Sequence, residues 1–254
     1  MDINKLFKLI KRSYQDSCVN SINYVAIKQG ALQELCALIE KYTKIIFVTD
    51  METYKICGAK IINMLGDKLG KFLLYENQST FESDEHSLEK LEFMIDDETD
   101  LIIGAGGETV QSICKYESYE AKLPYYMIAV SPSSAKYIFP EAVLIKNHVR
   151  CVYPAHTPRA IIADTNIMKF IDYSKLKEDY EEMNVLFCET EEKLARNSNE
   201  IRYSEELIKI LYNLKEMFND IENGLKKQEL KAVEKLMKTL LIFEVVNYDL
   251  KRIN

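Results

Sequence analysis

Several things are scarce in these 254 residues. Positive charge is in deficit: 33 Lys and Arg stand against 40 Asp and Glu, a formal net charge of −7. Holding a nucleic-acid backbone needs clustered positive charge that displaces counterions, so this balance argues against nucleic acid as a partner. No run of 18 apolar residues occurs, so no membrane-spanning helix is expected. The six cysteines (Cys18, Cys36, Cys57, Cys114, Cys151 and Cys188) are scattered, none in a Cys-x-x-Cys pair. That excludes a redox motif and a disulfide scaffold, and they read as small hydrophobes among apolar neighbours. Lys5, Lys8, Lys11 and Arg12 interrupt the apolar residues of the N-terminus, which therefore lacks the apolar core of a secretory signal. A cytoplasmic location is expected.

Breakers are also unevenly spread. Seven of eight glycines lie at or before Gly107, and all five prolines lie between Pro124 and Pro158. Beyond Pro158 there is no proline and a single glycine, Gly224. That pattern predicts helices joined by polar turns in the last third.

What is present, 47% hydrophobic and 29% charged residues, suits a globular chain. Strand-like segments at Asn23–Lys28, Ile45–Val48, Lys71–Tyr75, Leu101–Ile103, Tyr125–Val130 and Ala160–Ala163 alternate with helical ones. The helical segments are Ala31–Tyr42, Thr53–Leu69, 84–96 behind a Ser83 cap, and Val110–Tyr119. Ala142–Ile145 and Val149–Val152 flank Lys146-Asn147-His148 as a β-hairpin. Continuous apolar strands between helices indicate an α/β fold with a covered parallel sheet over residues 21–172. An amphipathic helix with Leu6, Ile10 and Tyr14 on one face is expected in residues 1–20. Residues 173–254 read as a small all-α domain. Its stripes are Leu207, Ile210, Leu211, Leu214 and Phe218, then Val233, Leu236, Met237, Leu240 and Leu241. They pack on the α/β domain or form an interface with a protein partner or a second copy of the chain.

The most informative stretch runs from Leu101 to Val110, where a buried strand meets Gly104, Gly106 and Gly107, then Glu108 and Thr109, before a helix. Glycines let backbone approach a ligand, and a helix N-terminus offers free N–H groups to a phosphate. Asp50 and Asp164 end strands, where they either bond ribose hydroxyls or cap the next helix. A serine triad would need Ser131, Ser133 or Ser134 beside a histidine, and no G-x-S-x-G elbow occurs.

In order along the chain, these segments resemble one family. The strand with "QGALQEL", Ile46–Asp50 with Thr53-Tyr54, "GAGGETVQSICK", Leu123-Pro124 with "MIAVSPSSAKY", the hairpin at His148 and "AIIADT" are the matching pieces. They are similar to the superfamily of iron-containing alcohol dehydrogenases, glycerol dehydrogenase, glycerol-1-phosphate dehydrogenase and dehydroquinate synthase, over about residues 22–170. The resemblance implies a Rossmann-like domain followed by a helical one, with NAD or NADP in the cleft between them. It also implies a cofactor site at Asp50, Gly104, Gly106, Gly107, Glu108, Thr109, Ser131 and Ser133. In the family a zinc or iron ion, held by an Asp and histidines of the helical domain, polarises the substrate alcohol.

The sequence departs from that pattern in four places. Glu108 replaces the third glycine of the phosphate loop "GxGGGSxxDxxK", where a carboxylate repels phosphate. Ser112 replaces the Asp of the following helix, although Lys115 matches. In "PSSAKY", Ala135 stands in the Asp position of "SxDGY" and Lys136 in that of Gly. Finally His86, His148 and His156 are the only histidines, so residues 157–254 hold none, and the "GxGD" Asp falls near Glu181-Glu182. The helical domain is also much shorter than the family's. No metal is therefore expected. The reading is a degenerate relative that keeps nucleotide or small-anion binding, or now binds a partner. The alternative is an active NAD(P)-dependent oxidoreductase on glycerol, glycerol phosphate or a related polyol. Lys136 and Tyr137, with Lys115, would then be its acid–base candidates.

Overall fold

The computed structural model describes Phe7 and residues 18–76, 81–196, 205–219 and 221–253. Strands β1 (Tyr24–Lys28), β2 (Ile45–Asp50), β3 (Leu69–Tyr75), β4 (Leu101–Ala105), β5 (Tyr125–Ala129) and, after a hairpin of β6 (Glu141–Lys146) and β7 (Val149–Pro154), β8 (Ala160–Asp164) are as the alternation predicts. Six of them form one parallel sheet in the order β1-β8-β5-β4-β2-β3. β2, β4, β5 and β8 are buried at every residue, as a sheet covered on both faces requires.

Side chains of β2 alternate between two apolar clusters. Ile45 and Phe47 pack with Leu32, Leu35, Ile39, Cys57, Ile61 and Leu65, from the helices after β1 and β2. Ile46 and Val48 pack with Leu91, Val110 and Ile113. The helix after β2 and the helix after β4 thus cover opposite faces, although β2 and β4 are neighbours. The carboxyl ends of β2 and β4 are thus a topological switch point, where open parallel sheets bind ligands in a crevice between the diverging chains.

The helical boundaries shift from the sequence expectation for identifiable reasons. The 31–42 helix is a 3₁₀ turn, Ala31–Glu34, followed by α1 (Leu35–Leu38). Its first amides are drawn off: Gly30 N–H and Leu32 N–H donate to the Asp164 carboxylate at 2.9 and 3.1 Å. The 53–69 helix starts earlier, as α2 (Met51–Thr53), because Asp50 caps it. It passes through a wide turn at Tyr54–Gly58, where the Tyr54 ring fills the space a Cβ on Gly58 would need. It closes as α3 (Ala59–Leu65), and Leu69 belongs to β3. α4 (Glu85–Glu92) is capped by Asp84, which accepts from Ser87 N–H, and not by Ser83, whose hydroxyl donates to Val143 O of the hairpin. α5 (Glu108–Glu120) begins two residues early, at the glycine loop.

α6 (Thr165–Met168), α7 (Tyr173–Arg196), α8 (Glu205–Asn219), α9 (Glu222–Lys226) and α10 (Leu230–Ile253) follow. Their stripes face inward: Ile210, Leu211, Leu214 and Phe218 of α8 and Val233, Leu236, Met237, Leu240 and Leu241 of α10 are buried in the cluster that covers one sheet face. α10 also packs against the Pro132–Tyr137 turn after β5. The cysteine expectation needs correction. Cys57 and Cys114 are buried, but Cys36, Cys151 and Cys188 are exposed, because each lies on the outer side of its element. The amphipathic helix expected in residues 1–20, with Leu6, Ile10 and Tyr14, lies outside the described residues, apart from Phe7, which is buried in the core.

Candidate functional site

The crevice is built from the carboxyl ends of β2, β4 and β5. β4 runs into Gly106 and Gly107, and Gly107 opens α5 in extended conformation with no side chain capping the helix. The first N–H groups of a 13-residue helix therefore have no side-chain acceptor, and the positive end of its dipole lies behind them. The three glycines have different reasons to be glycine. A Cβ on Gly104 would press on Cys114 Sγ at 2.9 Å, so Gly104 lets α5 lie close on β4. A Cβ on Gly106 would lie 2.5 Å from Asp50 Oδ2 and 2.6 Å from Val110 Cγ2, so Gly106 brings the loop against the end of β2. Gly107 is exposed, and a Cβ there would meet nothing within 4 Å: its space opens on the crevice.

The loop is buttressed by a residue the sequence reading missed. Gln111, wholly buried, donates from Nε2 to Gly106 O at 3.0 Å and accepts at Oε1 from the Tyr125 hydroxyl. A glutamine on the apolar side, one turn into an amphipathic helix, is the signal that would have found it.

The two strand-end aspartates are caps. Asp50 accepts from Thr53 N–H at 2.8 Å and from the Thr53 hydroxyl at 3.2 Å. Asp164 is fully buried and accepts from Asn166 N–H as well as from Gly30 and Leu32, joining β8 to the segment after β1.

Glu108 is the first residue of α5. Its carboxylate pairs with Arg150 of β7 at 2.7 Å. Both groups are half exposed, so the pair contributes about 0–1 kcal/mol, but it neutralises the charge that stood out beside the loop. Thr109 is half-buried beside it, and Ser112 is buried. Lys115 is buried and donates to Phe139 O at 3.1 Å and to Glu141 O, which anchors the hairpin to α5. Burial lowers Lys115 to about 7, against the pull of Glu141 and Glu108.

After β5 the chain turns through Ser131 and Pro132–Tyr137. Ser131 Oγ lies 2.8 Å from Ser133 Oγ, and the turn is closed by a capping box with Ser134, which is fully buried. Ala135 is buried. Lys136 forms an ion pair with Glu182 of α7. Tyr137 is half-buried, and its phenol is pushed up to about 12 by burial first, then by Glu108 on one side and Asp179 and Glu182 on the other. The Pro132–Tyr137 turn packs against both α5 and α7. Asp179, one turn before Glu182, was also missed; burial raises it to about 6, opposed by the Lys136 charge and the Ser133 N–H.

The histidines do not converge. His86 and His148 are exposed, and His156 Nδ1 bonds Leu123 O at 3.0 Å, beyond the opposite edge of the sheet. Among the described residues no group of three His, Cys, Asp or Glu side chains is arranged to hold a metal ion. No helix among them is long and apolar enough to cross a membrane.

The family model for iron-containing alcohol dehydrogenase matches residues 26–170, more than half of the chain. The chain belongs to the iron-containing alcohol dehydrogenase family. It is 29% identical to glycerol-1-phosphate dehydrogenase (NAD(P)+) of Bacillus velezensis over 154 residues, 58% of this chain and 39% of that protein. It is 32% identical to the enzyme of the same name from Thermoplasma volcanium over 127 residues, 49% of this chain and 35% of that one. The matches thus span about two fifths of those relatives' length. In three dimensions the chain is similar to glycerol dehydrogenase from Schizosaccharomyces pombe, with a TM-score of 0.71 at 18% identity, over 90% of this chain and 61% of that one. Maleylacetate reductase from Rhizobium sp. strain MTP-10005 superimposes with a TM-score of 0.70 at 11% identity, over 89% and 63%. At these identities the structural likeness carries the fold, including the helices that follow the sheet.

Proposed function

We propose that this family member binds NAD or NADP, or a smaller phosphate-bearing anion, in the crevice, and does not carry out metal-dependent dehydrogenation. The observation that carries the reading is the contrast inside the crevice. The helix end of α5 is uncapped by any side chain and Gly107 opens on free space, so the residues present fit a pyrophosphate group. Glu108, the sequence feature that opposed this, is compensated by Arg150.

The donor set does not fit the family's metal. Zinc or iron needs three or more His, Cys or carboxylate ligands converging on one point. Near the crevice, Glu182 is engaged by the Lys136 ammonium and Asp179 accepts from Ser133. The relatives named above are NAD(P)-linked dehydrogenases of glycerol 1-phosphate, and the kinship, which spans residues 26–170 in the family model, includes the glycine loop.

Calorimetric titration with NADH and NADPH tests the first half. Saturable binding at micromolar to millimolar concentration is expected; no heat at about 5 mM, a concentration beyond a weak millimolar site, refutes nucleotide binding, and no heat with pyrophosphate as well refutes the anion site. Assays of NAD(P) reduction with glycerol and glycerol 1-phosphate, with added Zn²⁺ or Fe²⁺, test the second half: no turnover is expected. Metal-dependent turnover would establish the active oxidoreductase instead.

A further inference from the structure

The sheet has a second edge that the crevice does not use. At its amino end Ser21, Asn23, Tyr125, His156, Thr157 and Arg159 line a cavity of about 290 Å³. These residues sit at the starts of β1, β5 and β8 or in the segments leading into them. Arg159 staples the three strands. Its N–H donates to Tyr125 O at 2.8 Å, and its carbonyl accepts from Asn23 N–H and Tyr24 N–H at 2.8 and 3.2 Å. The guanidinium therefore rises from a fixed backbone. Among the described residues no carboxylate pairs with it.

His156 is held just as firmly. Its backbone N–H donates to Lys115 O at 3.2 Å, and its ring meets Tyr119 edge-on at 5.5 Å. Nδ1 is committed to Leu123 O, so it carries the proton of the neutral ring, and Nε2 is the remaining acceptor. The Tyr125 hydroxyl is spent on Gln111, while the hydroxyls of Ser21 and Thr157 and the amide of Asn23 add polar groups to the lining.

We infer that this cavity is a second ligand site, specific for a small organic phosphate, with Arg159 as its charge and His156, Thr157 and Asn23 as hydrogen-bonding groups. A planar guanidinium fork matches the oxygens of phosphate or carboxylate. The imidazole selects between them. A phosphomonoester still bears a proton near pH 6 that Nε2 accepts, and a carboxylate has none at that pH. The volume points to an ester over the bare ion: it holds about ten waters at their liquid volume and approaches that of small-molecule pockets.

The three histidines make the test local, because each gives its own ring signals in an NMR spectrum. His86→Gln and His148→Gln, both at exposed positions, assign the His156 signals by elimination. Titration with methyl phosphate and with inorganic phosphate should move the His156 signals saturably and leave those of His86 and His148 in place. Methyl phosphate should bind at least as tightly as inorganic phosphate. Arg159→Gln should weaken both by tenfold or more without lowering the melting temperature, since Arg159 is exposed. The inference is overturned if His156 does not respond, if its response persists unchanged in Arg159→Gln, or if acetate moves it equally. Because the readout sits at the amino edge, these results are independent of nucleotide binding at the crevice.

Discussion

The two halves of the crevice wall obey different rules. The half made by β4, the glycine loop and α5 is backbone: its N–H groups, open space and close approach to Asp50 come from where side chains are absent. The half made by the Pro132–Tyr137 turn and α7 is side chain: Lys136, Tyr137, Asp179 and Glu182 crowd it with charge, and Lys136 and Glu182 neutralise each other. A backbone site tolerates sequence drift as long as small residues keep the space. A site of converging ligands is lost with one or two substitutions. On the proposed reading, that difference lets a phosphate-binding loop persist beside a wall whose residues do not suit a metal.

The sharpest way to break the contrast is at Gly106. Gly106→Val places carbon within 2.6 Å of Asp50 and Val110, and overpacking of this kind costs about 1–3 kcal/mol. The urea midpoint should fall and nucleotide binding should disappear with it. An unchanged midpoint would show that the loop has room to move. Gly107→Ala comes next. It meets no atom, so the fold should keep its melting temperature while NADH affinity drops about tenfold, some 1.4 kcal/mol. Equal affinity in calorimetry would move the ligand away from the helix end.

Asp179 tests the side-chain half through pH. Its carboxyl is raised from 3.8 to about 6 by burial, so the folded state holds the proton more tightly than the unfolded one. Stability is therefore lost as pH rises from about 4 to 6, and the full penalty stands above that. Asp179→Asn should raise the denaturation midpoint at pH 8, and the gain should shrink toward pH 4. A gain that does not vary with pH would assign the effect to packing. The smallest effect is expected at Lys136→Met. Its pair with Glu182 is partly exposed, and such pairs contribute about 0–1 kcal/mol. The melting temperature should move little and NADH affinity should not fall. A large loss of either would make Lys136 a ligand-binding group.

Much of the fold was legible because it is written locally. β2, β4, β5 and β8 are short continuous apolar runs, and the stripes of α8 and α10 repeat at helical spacing. Gly106 and Gly107 announced the loop by lacking side chains. The errors fell where a distant group intervened. Asp164 pulls on the amides of Gly30 and Leu32, more than 130 residues away, and tightens what the pattern reads as a regular helix. Gln111 and Asp179 gave weak signals, since a buried polar group is recognised by its partners, and those lie on β5 and on the turn after it.

The alternation of strands and helices and the glycine loop before α5 are local properties, since period, side-chain size and composition act within a few residues. The folded chain alone sets Glu108 against Arg150, Lys136 against Glu182, Asp50 and Asp164 at their helix starts, and Arg159 with His156 around a cavity at the other edge. Direction of charge is a long-range property: a carboxylate turns toward whichever cation or amide the folded chain brings to it.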